Sequence, residues 1–218
     1  MDAIQRELLN QVAGLHEVPE GAYNIRANGE LAGRNTTANI DIITKEDRSG
    51  IDIRIRPGTK SESVHIPVVL SKSGLKESVY NDFFVGEDSD VTIIAGCGIH
   101  NSGSDASAHS GIHRFFVDKN AKVRYVEKHY GAGDGSGERI MNPTTEIHLA
   151  EGASLEMETV QIKGIDSTVR TTNAEVSRGA SLVIREKIMT HGKQRAETDF
   201  KVDMEGTDSS VNLISRSV

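Results

Sequence analysis

The chain has no tryptophan, one cysteine and four prolines, and aromatic residues make up only 4% of its 218 positions. The lone Cys97 allows no intrachain disulfide, so nothing in the sequence points to an oxidising compartment. So few rings exclude a wide core built on large side chains and suit a narrow one filled by Val, Ile and Leu. Basic residues are outnumbered 25 to 32, and the net charge of −7 argues against a nucleic-acid partner. The longest apolar stretch, Val91 to Ile99, is interrupted by Gly96 and Gly98 and falls far short of a membrane span. The start, Met1-Asp2-Ala3-Ile4, lacks the basic lead of a secretory signal. These absences lead us to expect a cytoplasmic protein with neither a membrane nor a nucleic-acid partner.

What the chain does have is glycine, 21 residues of it, and a repeat. The segment Glu175-Val176-Ser177-Arg178-Gly179-Ala180-Ser181-Leu182-Val183-Ile184 reads as a strand, a tight turn and a second strand. A copy runs from Ile147 to Met157 around Glu151-Gly152-Ala153-Ser154, and weaker copies lie at Val117–Tyr125, Val85–Ile93 and Val202–Leu213. The second-strand anchors Val91, Val123, Leu155, Leu182 and Val211 are 32, 32, 27 and 29 residues apart. A period of that size with two strands per unit predicts a β-solenoid. The expected fold is all-β: a right-handed parallel β-helix with a short N-terminal helix. Inward pairs are expected at Phe83/Val85, Phe115/Val117, Ile147/Leu149, Ala174/Val176 and Phe200/Val202, with the last turn three residues longer.

Residues 1–20 read as a helical cap and 21–218 as the β-helix. Ile4, Leu8, Val12 and Leu15 share one helical face, Asp2 and Gln5 have capping-box spacing, and Gly14 ends the helix. Its expected place is the open end of the solenoid. Asn28-Gly29 and Gly33-Arg34-Asn35 read as turns, and Pro67 marks an edge or a bend in the strand Val64–Leu70. The last strand is followed by no capping element, so the sequence suggests a truncated chain or an end covered by another subunit.

Two stretches interrupt the pattern. From Ala95 to His113 the sequence holds Cys97, His100, His109 and His113, spaced C-x2-H-x8-H-x3-H. Thiolate and imidazole suit iron or zinc, but this spacing matches no standard zinc motif, and His100 and His109 read as parts of a Ser/Gly-rich loop. Cys97 between glycines at a strand end reads either as a small buried hydrophobe or as a thiol open to solvent, with His100 or His113 to favour its thiolate. From Glu127 to Glu138, four glycines in seven residues resemble a phosphate loop, yet no helix and no Lys-Ser/Thr follow, so a flexible turn is expected.

The strings Ala95-Gly96-Cys97, Gly111-Ile112-His113-Arg114-Phe115, Val123 to Gly131 and Glu151-Gly152-Ala153-Ser154-Leu155 resemble the SufB/SufD family of iron–sulfur assembly scaffolds. The tail Val211-Asn212-Leu213-Ile214-Ser215-Arg216 is similar as well, and the short N-terminal helix looks like compact SufB-like forms. The resemblance implies a non-enzymatic scaffold that carries a transient iron–sulfur cluster. It also implies a SufC-like ABC ATPase partner and pairing with a SufB/SufD-like subunit or with itself. By position it implies sulfur receipt at Cys97, with His113 where the family also has a histidine, while His100 and His109 stay possible metal ligands. The family's later region, which carries interface ligands and ATPase-gripping helices, has no counterpart in this sequence. The alternatives are a carbohydrate-active β-helix and a structural oligomerisation module.

Overall fold

Inward and outward residues alternate so regularly here that each coil is laid down as two strands, and the turn between them repeats one backbone device. In the computed structural model, which describes residues 1–218, Asp88, Asn120, Gly152, Gly179 and Asp208 all have φ between 57° and 69°. Each stands three residues before its second-strand anchor, and Asp, Asn and Gly are the residues that enter this left-handed region at least cost. The turns themselves stack: the amide of Asp88 donates to Lys119 O, Asn120 to Glu151 O, Gly152 to Arg178 O and Gly179 to Thr207 O. The small residues that follow, Ser89, Ala121, Ala153 and Ala180, are fully buried at the corner.

Two antiparallel hairpins come first: β1 (Ala22–Ala27) with β2 (Glu30–Asn35), and β3 (Ile40–Thr44) with β4 (Gly50–Ile55). The coils follow as β5 (Lys60–Leu70), β6 (Lys76–Val85), β7 (Asp90–His100), β8 (Ser107–Val117) and β9 (Lys122–Ala132). Next are β10 (Arg139–Met141), β11 (Thr144–Leu149), β12 (Ser154–Lys163), β13 (Ser167–Val176), β14 (Ser181–Ile188), β15 (Arg195–Met204) and β16 (Ser210–Ser217). One parallel sheet runs β5-β7-β9-β12-β14-β16 and the facing one β4-β6-β8-β11-β13-β15, forming a solenoid of about six turns. The expected parallel β-helix is therefore what the chain forms.

The anchors stack as read: Val91 on Val123, Val123 on Leu155, Leu155 on Leu182 and Leu182 on Val211. Between the sheets, Phe83 and Phe115 lie flat on each other with centroids 4.5 Å apart, and Tyr125 meets Phe115 edge-on at 5.1 Å. The last rung keeps Phe200 and Val202 packed on the core, as read, but its register departs from the reading. Ala174 pairs with Val202 and Val176 with Met204, while Phe200 falls beside Thr172. The final turn is thus one residue longer than its predecessor, and not three, because the strand before it reaches two residues further.

Several local expectations are corrected. Gly33, Arg34 and Asn35 belong to β2, and Pro67 lies within β5, between β1 and β7, where pairing to β1 skips it. The helix α1 (Ala3–Ala13) has the Asp2/Gln5 capping box and a left-handed Gly14, but it buries Gln5, Leu8, Leu9 and Val12 and leaves Ile4 41% exposed. It lies against β5, β7 and β9 rather than over an end, and the hairpins close that end instead. The reason lies in β7: a Cβ on Gly96 would come within 2.8 Å of Val12 O, and one on Gly98 within 3.0 Å of Leu8 Cβ. The two glycines form a shallow floor on the outside of the sheet, and the helix occupies it.

Candidate functional site

Past the apolar cluster, the inward positions of the same strands turn polar. On β9 the inward sequence after Val123 is Tyr125, Glu127 and His129, and Glu127 is followed up the stack by Thr159 and Glu186. On the facing sheet Asn81, His113, Thr145 and Thr172 form one column, and Arg170 projects from β13. All of these side chains are buried. Buried polar groups are costly unless they satisfy one another. His113, Tyr125, Glu127, His129, Arg170 and Glu186 do so in one chain of contacts, while Asn81 Oδ1 and Thr159 Oγ1 have no partner.

Arg170 is the hub. Its Nη1 donates to Glu127 Oε2 at 3.1 Å, its Nε lies 3.0 Å from Glu186 Oε2, and its Nη2 faces His129 Nδ1 at 3.3 Å. Since a guanidinium only donates, His129 Nδ1 accepts, which places the imidazole proton on Nε2, 3.4 Å from Glu127 Oε1. Tyr125 donates to Glu127 Oε1 at 3.0 Å, so His113 Nδ1–H must donate to the Tyr125 oxygen, at 2.8 Å. Glu186 Oε1 also accepts from Thr198 and Ser215 at 3.1 and 2.9 Å. A second group stands below: His109 Nδ1–H donates to Glu77 at 3.1 Å, and Arg26 reaches the same carboxylate at 3.4 Å.

The electrostatics follow from this geometry. Burial opposes ionisation of Glu127, but His129 and then Arg170 beside it hold the carboxyl well below the usual range. Burial lowers His113 to about 4, so its ring is neutral. Burial and the Glu127 carboxylate push the Tyr125 phenol well up.

Cys97 lies within β7, directly between Val68 of β5 and His129 of β9. It points into the solenoid, is 2% exposed, and packs with Val68, Met141 and Ile165. Of the two readings the buried one holds, and the solvent-open one does not: β7 continues unbroken through Gly96-Cys97-Gly98 to His100, and α1 covers the outer face of those glycines. Burial, reinforced by the Glu77 and Glu127 carboxylates, pushes the thiol well up, so neither His100 nor His113 turns it into a resting thiolate.

A narrow cavity of about 10 Å³, the size of one water, is lined by Cys97, His109, His113, Asn81, Glu127 and His129. The structure therefore brings together Cys97, His109 and His113 of the residues singled out in the sequence. His100 does not line this cavity; it ends β7 half-buried, and His109 lies inside β8 rather than in a loop.

Sequence reasoning missed Glu127, His129, Arg170, Glu186 and Asn81. The signal was present: counting by twos from Val123 gives Tyr125, Glu127 and His129, so charged residues sit in the inward phase of a regular strand.

The other irregular stretch is structural. The loop 133–138 stacks on 101–106, with Gly135 N on Asn101 O and Gly137 N on Gly103 O at 3.1 and 3.0 Å. Fully buried Asn101 donates to Asp105 O and Gly137 O. Gly133, at φ 98°, has room for no Cβ, which would sit 2.2 Å from Asn101 O. Outside, Phe84, Phe116 and His148 stack in a ladder, with Arg54 4.9 Å over Phe84 and Arg114 5.9 Å from Phe116. Cations thus lie against these two outward phenylalanine rings.

Fold and site together define the class, a parallel β-helix whose core carries a polar column and a single thiol. Residues 78–218 match the family profile described as "SUF system FeS cluster assembly, SufBD core domain". The chain belongs to the SufBD family. It is 29% identical over 176 residues to an iron–sulfur cluster assembly SufBD family protein of Archaeoglobus fulgidus, covering 79% of this chain and 45% of that protein. The chain thus spans about half the length of this curated relative. No solved structure matches it. No helix is long and apolar enough to cross a membrane.

Proposed function

We propose that this chain is the core of a scaffold for iron–sulfur cluster assembly, and that Cys97 is its sulfur-accepting residue. The observation that carries the reading is the position of the sole thiol: it projects inward at the edge of the polar column, on a rigid strand of a SufBD core. A persulfide donor R–S–SH would pass its outer sulfur to the Cys97 thiolate. One S–S bond breaks, one forms, and the donor leaves as a thiol carrying the Cys97 proton, with no net oxidation. The resting thiol is protonated, so the step needs the proton removed at the moment of transfer, which guards an unloaded Cys97 against stray oxidants. Cluster iron and sulfide are cargo in this reading, and ATP hydrolysis belongs to a SufC-like ABC ATPase partner. Pairing with a second SufB/SufD-like subunit or with itself completes the assembly, in the cytoplasm.

The test is persulfide transfer from a cysteine desulfurase, read by mass spectrometry of the Cys97 peptide. A gain of one sulfur atom, reversed by reductant and absent in Cys97→Ser, is expected. Wild-type protein that gains no sulfur at Cys97 would overturn the assignment.

A further inference from the structure

His109 and His113 present their second ring nitrogens to one place. His109 gives its Nδ1–H to Glu77 and His113 gives its own to Tyr125, so in the neutral rings both Nε2 atoms carry lone pairs. Those atoms converge on Gly111: a Cβ built there would lie 3.1 Å from His113 Nε2 and 3.5 Å from His109 Nε2. The glycine leaves room where the two Nε2 atoms approach, and a β-strand does not otherwise need a glycine at an inward position. Asn81, also buried, touches His113 Nε2 only at a long 3.4 Å, and its Oδ1 has no partner.

Beside this cavity His113 Nε2 has only the long contact from the Asn81 amide nitrogen, and the Asn81 carbonyl is a buried acceptor with no partner, so the place is short of positive charge or donors. Moreover, each ring is held from behind in the manner of a metal-binding histidine, one by a carboxylate and the other by a phenol that is itself tied to Glu127. The geometry points to a binding site for one first-row divalent cation of borderline softness, the class of Fe2+ and Zn2+, between His109 Nε2 and His113 Nε2. Asn81 Oδ1 is placed to join by a turn of its amide. No three His, Cys, Asp or Glu side chains already surround a common point, so the site closes by rotation of the imidazoles onto the ion. Imidazole ligation needs about 2.0–2.1 Å to each nitrogen. Cys97 lines the same cavity, so the cation would rest beside the thiol without the thiol being required to hold it.

This inference is independent of sulfur chemistry, and its test contains no sulfur donor. Histidine-labelled full chain is titrated anaerobically with Zn2+ alone, and the ring nitrogens are followed by long-range 1H–15N NMR. At one equivalent the Nε2 resonances of His109 and His113 are expected to shift together, while both Nδ1 atoms stay protonated. Glu77→Gln, which keeps a hydrogen-bond acceptor but removes the charge behind His109, is expected to weaken binding about 10- to 100-fold. Fe2+ is expected to compete for the same site. Zn2+ that shifts only other histidines such as His16, His100, His148 and His191, or that leaves both Nε2 atoms unmoved at saturation, would overturn the proposal. The wild-type titration decides the matter even where Glu77→Gln fails to fold.

Discussion

Removing Arg170 offers the sharpest probe of the polar column. Arg170→Met deletes the one guanidinium shared by Glu127, Glu186 and His129, at 3.1, 3.0 and 3.3 Å, and leaves two carboxylates in the core. Breaking a buried ion pair from one side costs about 3–5 kcal/mol, because the stranded charge keeps its full desolvation penalty. Two stranded charges put the expected loss at the upper end of that range. For a chain of this size each kcal/mol lowers Tm by roughly 2–4 °C, so a fall of about 10–20 °C is expected.

The pH dependence has a definite sign. In the wild type, Glu127 is held well below its ordinary 4.5, so it contributes stability above that value that is lost as pH falls through the folded pKa. In Arg170→Met, burial and the neighbouring Glu186 carboxylate instead raise Glu127, so the variant recovers stability as protons bind on acidification. The gap to wild type should narrow between about pH 8 and about pH 5. Urea unfolding at the two pH values, with amide exchange on β9, β12 and β14, measures it. The combination Glu127→Leu, Arg170→Met and Glu186→Leu removes every stranded charge and should return most of the loss. A single-variant deficit below about 1 kcal/mol at the higher pH, or one that fails to narrow, refutes the reasoning.

Other substitutions test the surroundings. Gly98→Val should lift α1 from its floor, because even a Cβ there meets Leu8 Cβ at 3.0 Å, and limited proteolysis should then cut near Gly14–Gly21 while the solenoid's circular dichroism is unchanged. Gly133→Ala should destabilise by about 1–3 kcal/mol or displace the 101–106 loop, since it combines φ 98° with a 2.2 Å clash; an unchanged melting curve would contradict this. Cys97 should react with a thiol reagent far more slowly in the native protein than in urea, and equal rates would show that it is not buried. Tyr125→Phe strands the His113 Nδ1–H and should cost about 1–3 kcal/mol by urea unfolding, a loss that an unchanged midpoint would exclude.

The repeat was legible because stacking demands that like residues recur. Val91, Val123, Leu155, Leu182 and Val211 must fill one column, and the position three before each must accept a left-handed backbone. The last rung was misread because its first strand extends two residues further with no change in alternation, so period 2 fits either register equally well. The helix was placed correctly in sequence but not in space. Its docking surface is made of what Gly96 and Gly98 lack, and an absent side chain leaves no pattern to read. Cys97 was legible as a candidate and illegible in its direction: flanking glycines look like a turn, and only the pairing of Gly96 with Pro67 and Lys128 shows that they lie in mid-sheet.

The polar column poses a question that the fold alone does not answer. Its positions accept apolar residues: Ala95 stands one rung before Glu127, and Ile188 two rungs after His129. A core shaped only for stability would carry such residues throughout, since a buried ion pair seldom outperforms a well-packed hydrophobic replacement. What the charges visibly do in this fold is orient the imidazoles beside them. Each imidazole is fixed by a neighbour: His109 by Glu77 of the paired strand, and His113 and His129 from the facing sheet, by Tyr125 with Glu127 and by Arg170. The solenoid supplies the spacing that makes this possible, since consecutive coils deliver side chains at the inter-strand distance of about 4.8 Å. A chain with Glu127, Arg170 and Glu186 made apolar should regain most of the stability that Arg170→Met loses and yet hold His113 and His129 loosely, which separates the column's effect on the fold from its effect on the imidazoles.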